Sequence, residues 1–268
     1  MSLCRTTKSL FTLTAACALG LSACGGGSGS AGTTSAGGNT GVSGSSDCAL
    51  SGSVFSVVGN TAQVDSVTYA SDESTVLTSM QNKYTVQGGA NFRGEGNLLE
   101  INSKITITYS SAAANGSLAG QTLGPFDVQA YVKTTATDLL GYGYVTTSTA
   151  TGAVTAYFTP ATSTPLAPAL NTAYAQNYTI ITEATATQPQ STVSEKEEVT
   201  YLGVESVSVP AGTYSACKVK TQTTTNGSTD TSYKWDVASG RLKGLTIKRA
   251  DANGKKTEEA TVLLVNGV

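Results

Sequence analysis

Four glycines recur at nearly even intervals in the last third of this 268-residue chain and divide it into short segments. They are separated by 15, 13 and 14 residues, in the series Gly212, Gly227, Gly240 and Gly254. Asparagine precedes two of them, and Asn-Gly is the pair that best tolerates the positive φ of a two-residue hairpin turn. The spacing therefore predicts an antiparallel meander with strands of about ten residues.

The composition also favours a sheet over helices. Of the 268 residues, 29 are glycine and 12 are tyrosine, while only 13% are charged. No segment shows a sustained apolar stripe at helical spacing, although residues 74–82 are compatible with a short helix. We therefore predict an all-β fold, in which an antiparallel meander forms a half-open β-barrel or a strongly curved sheet.

Alternating side chains and turn residues predict where the strands lie. The C-terminal strands are predicted at 191–209, 213–224, 230–237, 241–249 and 256–265. The N-terminal part is predicted to contain strands near 53–58, 62–70, 84–94, 98–109, 126–133, 139–147 and 153–159. Pro160, Pro165 and Pro168 then suggest a sub-boundary at 160–170 within one β domain of residues 48–268, because proline cannot donate to a ladder.

The stretch from Val207 to Val219 reads Val-Ser-Val-Pro-Ala-Gly-Thr-Tyr-Ser-Ala-Cys-Lys-Val and has the form of a tight hairpin. Pro210 fixes φ for the first corner of the turn, and Gly212 supplies the positive φ that reverses the chain. On the outgoing strand Cys217 and Val219 share one face, because side chains alternate across a pleat.

Together with Tyr233-Lys-Trp-Asp-Val and Gly240-Arg-Leu-Lys-Gly, this stretch resembles a family of exported, mostly uncharacterised bacterial proteins. Their fold is related to the half-open β-barrels of the periplasmic lipoprotein carriers. The resemblance covers residues 165–245 at most and rests on structural residues. It implies a periplasmic β-scaffold that would suit an acyl chain or a partner protein, and it implies no catalytic residue.

The N-terminus has the pattern of a bacterial export signal. Two basic residues precede an apolar run from Leu10 to Leu21, which is too short to span a bilayer. The run ends in Leu-Ser-Ala-Cys24, which resembles the lipoprotein processing box, with cleavage before Cys24 and acylation of its thiol. Residues 1–23 are thus predicted to be a lipoprotein signal peptide. The alternative is an ordinary cleaved signal in which Cys24 occurs by chance.

Acylation of Cys24 with palmitate-type chains would anchor the protein to a membrane, since each buried methylene contributes about 0.8 kcal/mol. Gly25 follows instead of Asp, which by resemblance to Gram-negative sorting favours the outer membrane, facing the periplasm. Residues 24–47 are rich in Gly, Ser, Thr and Ala, so they are predicted to form a flexible linker between the lipid and the β domain.

Two cysteines are left once the signal peptide is removed and Cys24 is acylated. In an oxidising periplasm Cys48 and Cys217 have only each other to pair with, and a disulfide would close a loop of 169 residues. The alternative is a buried free Cys217 with Cys48 exposed to solvent, because the distance between their α-carbons does not follow from the sequence.

The chain contains no histidine, which excludes Ser-His-Asp and Cys-His catalysis and most zinc sites. Ser215 and Lys218 match a Ser-x-x-Lys motif, but that motif needs a helix and its partner motifs are missing. Glu195 and Glu197 share one face of a predicted strand and are interpreted as cross-strand partners of lysines, not as an acid–base pair. We therefore predict no catalytic residue, no metal site and no cofactor.

The charge balance argues against a nucleic-acid partner. The 16 lysines and arginines are outnumbered by 18 aspartates and glutamates. Lys255 and Lys256 are followed directly by Glu258 and Glu259, so the basic residues near the last turn are interpreted as a solvated hairpin tip.

Two functional hypotheses follow. In the first, the chain is a lipid-anchored periplasmic binding module for an apolar ligand or for a lipoprotein or other envelope protein. Aromatic side chains would then line a cavity, and the candidates are Trp235, Tyr233, Tyr142 and Tyr144. In the second, it is a structural or adaptor lipoprotein of the envelope, with a fully packed sheet and no small-molecule ligand.

Overall fold

The structure is a computed structural model that describes residues 48–148 and 152–268. The predicted signal peptide, Cys24 and the linker lie outside the described residues. Twelve strands occur in the described ranges: β1 Thr61–Tyr69, β2 Val76–Phe92, β3 Glu95–Tyr109, β4 Thr122–Thr134, β5 Asp138–Ser148, β6 Gly152–Pro165, β7 Ala173–Thr182, β8 Ser191–Val209, β9 Gly212–Thr225, β10 Ser228–Val237, β11 Thr246–Ala250 and β12 Lys256–Val265.

Every strand pairs antiparallel with the strands before and after it in the chain, which confirms the predicted all-β antiparallel fold. The two end strands are also paired: β1 runs beside β12 from Ala62 opposite Val265 to Thr68 opposite Glu258. The sheet is therefore a closed barrel and not a half-open one. The ladder that joins β6 to β7 is short, with partners for four residues from Ala156 to Thr159.

The short helix considered at residues 74–82 is wrong, because β2 begins at Val76. The turn before β2 is organised by Asp72, whose carboxylate accepts hydrogen bonds from the backbone N–H groups of Ser74 and Thr75 and from the Thr75 hydroxyl. These bonds hold the pKa of Asp72 below its usual range. An aspartate that bonds the backbone two and three residues on favours a turn.

The predicted sub-boundary at 160–170 falls within and just after β6. Residues Thr162–Pro165 pair with Asp138–Gly141 of β5, so the sheet continues across this segment. The ladder from β6 to β7 ends at Thr159, directly before Pro160. Proline has no N–H to donate, which accounts for the end of that ladder.

The segment before β1, residues 48–56, lies across one end of the barrel and is called the N-terminal plug here. The strand predicted at 53–58 is instead a single turn of 3₁₀ helix, Val54–Ser56, within this plug. Leu50 donates its backbone N–H to the Leu166 carbonyl, and Val54 donates to the Lys243 carbonyl. The plug is therefore tied to loops that lie far apart in the sequence.

Candidate ligand-binding cavity

A cavity of about 330 Å³ lies between the N-terminal plug and the inner wall of the barrel. Ligand pockets in proteins span roughly 300–1,000 Å³, so this one is small. At about 30 Å³ for each water-sized group, it has room for on the order of ten non-hydrogen atoms. It is too small to enclose the acyl chains of a lipoprotein.

One side of the cavity is apolar. Period-two alternation brings every second residue of β1 to β5 to the inner wall. The apolar lining residues on these strands are Val64, Met80, Tyr84, Ile101, Val132 and Leu139. Phe55 of the plug closes this side, and its ring lies edge-on to Tyr84 with 5.1 Å between the ring centroids.

The other side carries two ion pairs on the inner faces of β10, β11 and β12. Lys234 Nζ lies 2.9 Å from Asp236 Oδ2, and Arg249 Nε lies 3.2 Å from Glu258 Oε2. Lys234 and Arg249 are direct cross-strand partners, so the two cations stand side by side with an acid flanking each. All four side chains line the cavity.

Two hydroxyl groups fix the acids of these pairs. Thr246 Oγ1 donates to Asp236 Oδ1 at 2.6 Å, and Ser66 Oγ donates to Glu258 Oε1 at 2.7 Å. Hydrogen bonds to the ionised form stabilise a buried carboxylate and orient it. Each ion pair on the charged side of the cavity is therefore held in a fixed geometry by a neighbouring hydroxyl.

Asn82, on β2, places an incompletely satisfied amide in the cavity wall. Its side chain is 1% exposed, and Nδ2 donates to the Tyr84 hydroxyl at 2.6 Å. Among the described residues, Asn82 Oδ1 is one of two buried side-chain atoms without a hydrogen-bond partner. If the amide were turned by 180°, Nδ2 would be the unpaired group instead, so either orientation leaves one polar atom of the amide without a protein partner.

Tyr201 also lines the cavity. Burial raises the pKa of this phenol, and the negative charges of Asp236 and Glu197 raise it further. The hydroxyl is therefore neutral throughout the physiological pH range and can both donate and accept a hydrogen bond.

The four aromatic residues considered as cavity lining do not belong to this wall. Trp235 lies between Lys234 and Asp236 on β10, so it points to the outer face of the barrel. There its Nε1 donates to Glu205 Oε1 at 2.5 Å, and Lys218 lies 5.1 Å from the ring. Tyr233 shares this outer face and also lies beneath Lys218 Nζ, at 5.4 Å.

Tyr142 and Tyr144 of β5 lie elsewhere. Tyr142 packs on the outside of the barrel against a cluster that includes Phe92 and Tyr131. Tyr144 packs with a second cluster, formed by Ile105, Ile107 and Val128, and does not line the cavity. Burial, assisted by the charge of Glu195, raises the pKa of Tyr144 to about 12.

The two cysteines are joined in the structure, with 5.3 Å between the α-carbons of Cys48 and Cys217. The bond ties the first residue of the N-terminal plug to the inner face of β9, since Cys217 is the cross-strand partner of cavity-lining Asp236. It therefore holds the plug against the barrel end that contains the cavity.

Pro210 and Ala211 form the turn between β8 and β9, and Gly212 follows with φ of 138°. The Ala211 backbone N–H donates to the Ala260 carbonyl of β12 at 3.0 Å, and the Tyr214 hydroxyl donates to the Ala211 carbonyl at 2.7 Å. The conspicuous Val-Ser-Val-Pro-Ala-Gly-Thr-Tyr sequence thus builds a hairpin tip that contacts a distant strand, and it contributes no residue to the cavity.

Glu195 and Glu197 do not face the lysines of β9. Their cross-strand partners there are Thr225 and Thr223. Glu195 accepts hydrogen bonds from the hydroxyls of Tyr178 and Thr225, and Glu197 accepts one from Gln176 Nε2 at 2.7 Å. The expected lysine partners are therefore wrong.

Over residues 48–148 and 152–268, no group of three or more histidine, cysteine or acidic side chains is arranged to hold a metal ion. Over the same residues, no helix has the length and apolar character needed to cross a membrane.

No family model matches the sequence, and no curated protein matches it. Two solved structures resemble the fold. One, assigned as an exported protein with a YmcC-like fold from Bacteroides fragilis, is 12% identical, covers 78% of this chain and 96% of its own, and has a TM-score of 0.42. The other, assigned as a lipoprotein from Parabacteroides distasonis, is 15% identical with the same coverages and a TM-score of 0.39.

Proposed function

We propose that the chain is a lipid-anchored binding module of the bacterial cell envelope that holds a small ligand inside its barrel and catalyses no reaction. The observation that supports this most directly is the cavity of about 330 Å³ with the unsatisfied amide of Asn82 in its wall. An unpaired buried polar atom costs about 1–3 kcal/mol, which a ligand atom of matching polarity would offset.

The position of the protein in the envelope is proposed from the sequence. Acylated Cys24 would insert into the outer membrane, and residues 24–47 would let the barrel stand off the lipid surface on the periplasmic side. The chain would then enter the barrel at the N-terminal plug, directly after the linker.

The anchor is tested by detergent phase separation of the exported protein. Wild-type protein is expected in the detergent phase, and the Cys24→Ala variant in the aqueous phase. Recovery of wild-type protein from the aqueous phase with an unmodified amino terminus would contradict the lipid anchor.

Ligand binding is tested by native mass spectrometry of protein extracted from envelopes in a mild detergent. We expect wild-type protein to carry a small-molecule adduct. Leu139→Trp, which fills the cavity from the inner face of β5, should lose the adduct, whereas Leu140→Trp, one residue along the same strand and not part of the lining, should keep it.

Circular dichroism and thermal unfolding check that both tryptophan variants are folded. A wild-type protein without any adduct, or equal adduct in both variants, would favour the structural or adaptor role over the binding module.

A further inference from the structure

We infer that the ligand of the barrel cavity is a small zwitterion: a molecule with one carboxylate, one ammonium group and a short apolar side group, as in a free amino acid with an aliphatic side chain. This inference rests on the proposed binding function and specifies its ligand class. It follows from the arrangement of charge, the net charge of the wall and the shape of the apolar side.

The charges of the wall are arranged so that cations stand in the middle and acids stand outside. Lys234 of β10 is directly opposite Arg249 of β11. Asp236 lies two residues beyond Lys234 on β10, and Glu258 lies opposite Arg249 on β12. Across three strands about 4.8 Å apart, a positive centre is therefore flanked by two negative positions within the reach of a molecule the size of an amino acid.

The wall is neutral as a whole, because each cation forms an ion pair with one of the two acids. A ligand with a net charge would add an uncompensated charge to a largely enclosed space, and this is unfavourable by several kcal/mol for each ion. A zwitterion adds none. Its carboxylate can approach the adjacent cations while its ammonium group approaches Asp236 or Glu258.

The opposite wall supplies the apolar contact and one further polar contact. Val64, Ile101 and Val132 are aliphatic lining residues, with Val64 on β1 next to charged strand β12 and Ile101 and Val132 further around the barrel on β3 and β4. Asn82 lies among them on β2, directly opposite Val64 of β1, and offers its unpaired amide atom. An amide can accept a hydrogen bond from an ammonium group or donate one to a carboxylate.

The size of the cavity fits the same ligand class. Room for on the order of ten non-hydrogen atoms accommodates a backbone-like carboxylate and ammonium group with an aliphatic side group of a few carbons. It does not accommodate an acyl chain of membrane length together with its head group.

The inference is tested by isothermal titration calorimetry of the full folded domain with four molecules that share one aliphatic group. These are leucine, 4-methylpentanoate, which lacks the ammonium group, 3-methylbutylamine, which lacks the carboxylate, and 4-methylpentanamide, which is uncharged. We expect leucine to bind at least about tenfold more tightly than each of the other three, since each lost charge-assisted hydrogen bond weakens binding.

Each other result has a defined meaning. Binding of 4-methylpentanoate or 3-methylbutylamine as tight as that of leucine would overturn the zwitterion and indicate a singly charged ligand. Tighter binding of the uncharged amide would also overturn it while leaving the binding module intact. If none of the four binds and native mass spectrometry finds no adduct, both the ligand class and the binding function are wrong.

Variants then locate the binding. Asp236→Asn should weaken leucine binding about tenfold or more, and Asp230→Asn, an exposed position on the same strand, should leave it unchanged. Because Asp236→Asn alone leaves Lys234 without its acid, the double variant Lys234→Met, Asp236→Leu is made as well. It removes the whole pair and should fold while losing leucine binding. Leucine binding that survives in the folded double variant would overturn the proposed placement.

Discussion

Strand β10 points its charged side chains to the barrel axis and its aromatic side chains outward, which inverts the usual arrangement of an apolar inner face and a polar outer face. On the inner face, the side chains of Lys234 and Asp236 retain 19% and 12% of their accessible surface, which opens onto the cavity. On the outer face, Trp235 retains only 6%. As whole residues, Asp236 is 8% exposed and Trp235 is 6% exposed, so the two faces are buried to a similar degree although only one points to the barrel axis.

The outer face is covered by neighbouring chain and by the stems of long side chains. Lys218 and Lys248 lie over Trp235, each about 5 Å from its ring. Lysine can cover apolar surface with its methylene groups while its charge reaches water. The outer face of β10 is therefore apolar and covered at Trp235.

Aromatic side chains are also buried on the outer face at the β2–β3 hairpin. The tip of the β2–β3 hairpin folds over the outer face of β4 and β5, and Phe92 stacks on Tyr131 with 4.3 Å between ring centroids. This approach depends on Gly143, where a β-carbon would lie 2.9 Å from the Phe92 ring and 2.3 Å from the Ala156 carbonyl oxygen. Phe92 and Tyr131 thus form a cluster of their own with Leu98, separate from the main core cluster, which contains Trp235 and cavity-lining residues such as Ile101.

The largest effect expected concerns the inner face. Replacing both cysteines by serine opens a 169-residue loop and releases the N-terminal plug, which should lower the free energy of unfolding by about 5 kcal/mol in the chain-entropy model. Urea unfolding of the oxidised wild type, the reduced wild type and the double variant measures this change. Equal stability of all three would show that the plug is held by its hydrogen bonds alone.

The next effect concerns the outer face. Trp235→Ala removes a large buried side chain and leaves Glu205 without its indole donor, so it should cost about 3–5 kcal/mol. Leucine binding, measured on the folded fraction at low temperature, should be unchanged because Trp235 does not line the cavity. A loss of leucine binding with little loss of stability would show that Trp235 contributes to the ligand site, and would contradict its assignment to a purely structural outer face.

Burial inside the barrel also predicts a pH dependence. The pKa of Tyr144 is raised from about 10 in the unfolded chain to about 12 in the fold, chiefly by burial, so the folded state favours the neutral phenol. The stabilisation of the fold by the neutral Tyr144 phenol is complete below pH 10 and is lost as the pH rises through 12. The loss amounts to at most about 3 kcal/mol, since each pKa unit corresponds to about 1.4 kcal/mol.

Unfolding free energies of wild type and Tyr144→Phe, measured between pH 9 and 12, test this prediction. The phenylalanine variant should lose less stability over that range, and Tyr142→Phe, which removes a hydroxyl on the outer face, should follow the wild type more closely. Parallel curves for wild type and Tyr144→Phe would mean that Tyr144 ionises without loss of folding energy.

The sequence predicts several strands well where turn residues mark their ends, but the strand predicted at 241–249 is wrong in its first half, because β11 is Thr246–Ala250. Asn226-Gly227 sets the β9–β10 turn, and the strands 191–209 and 256–265 occur with the predicted limits. Strand β7, Ala173–Thr182, was missed because Tyr174 and Tyr178 alternate with polar residues between prolines and no hairpin turn precedes it. The helix at 74–82 was wrong because residues from Val76 onward pair with β1 and β3, and this tertiary pairing overrides local preference.

The cavity was harder to predict than the fold. Alternation places Lys234 with Asp236 and Tyr233 with Trp235, but the period of two leaves open which group faces the barrel axis. That choice depends on closure of the sheet and on the residues that cover each face, which are contacts between distant parts of the sequence. Asn82 carried no signal in the sequence, because an isolated asparagine in a strand resembles any other polar position.

The smallest effect expected comes from an ion pair on the outer face. Arg93 pairs with Glu183 and lies 3.7 Å above the ring of Tyr157, but the two charged side chains are 43% and 40% exposed. Solvent and salt screen such a pair, so Glu183→Gln should cost at most about 1 kcal/mol and less in high salt.

Asp236→Asn should cost more, because Lys234 would lose its acid in a largely enclosed space. Urea unfolding of the two variants at low and high salt compares them directly. A larger and salt-independent cost for Glu183→Gln would show that the Arg93–Glu183 pair is better shielded from solvent than the Lys234–Asp236 pair. The outer face would then bury its charged side chains, as well as its aromatic ones, more completely than the inner face does.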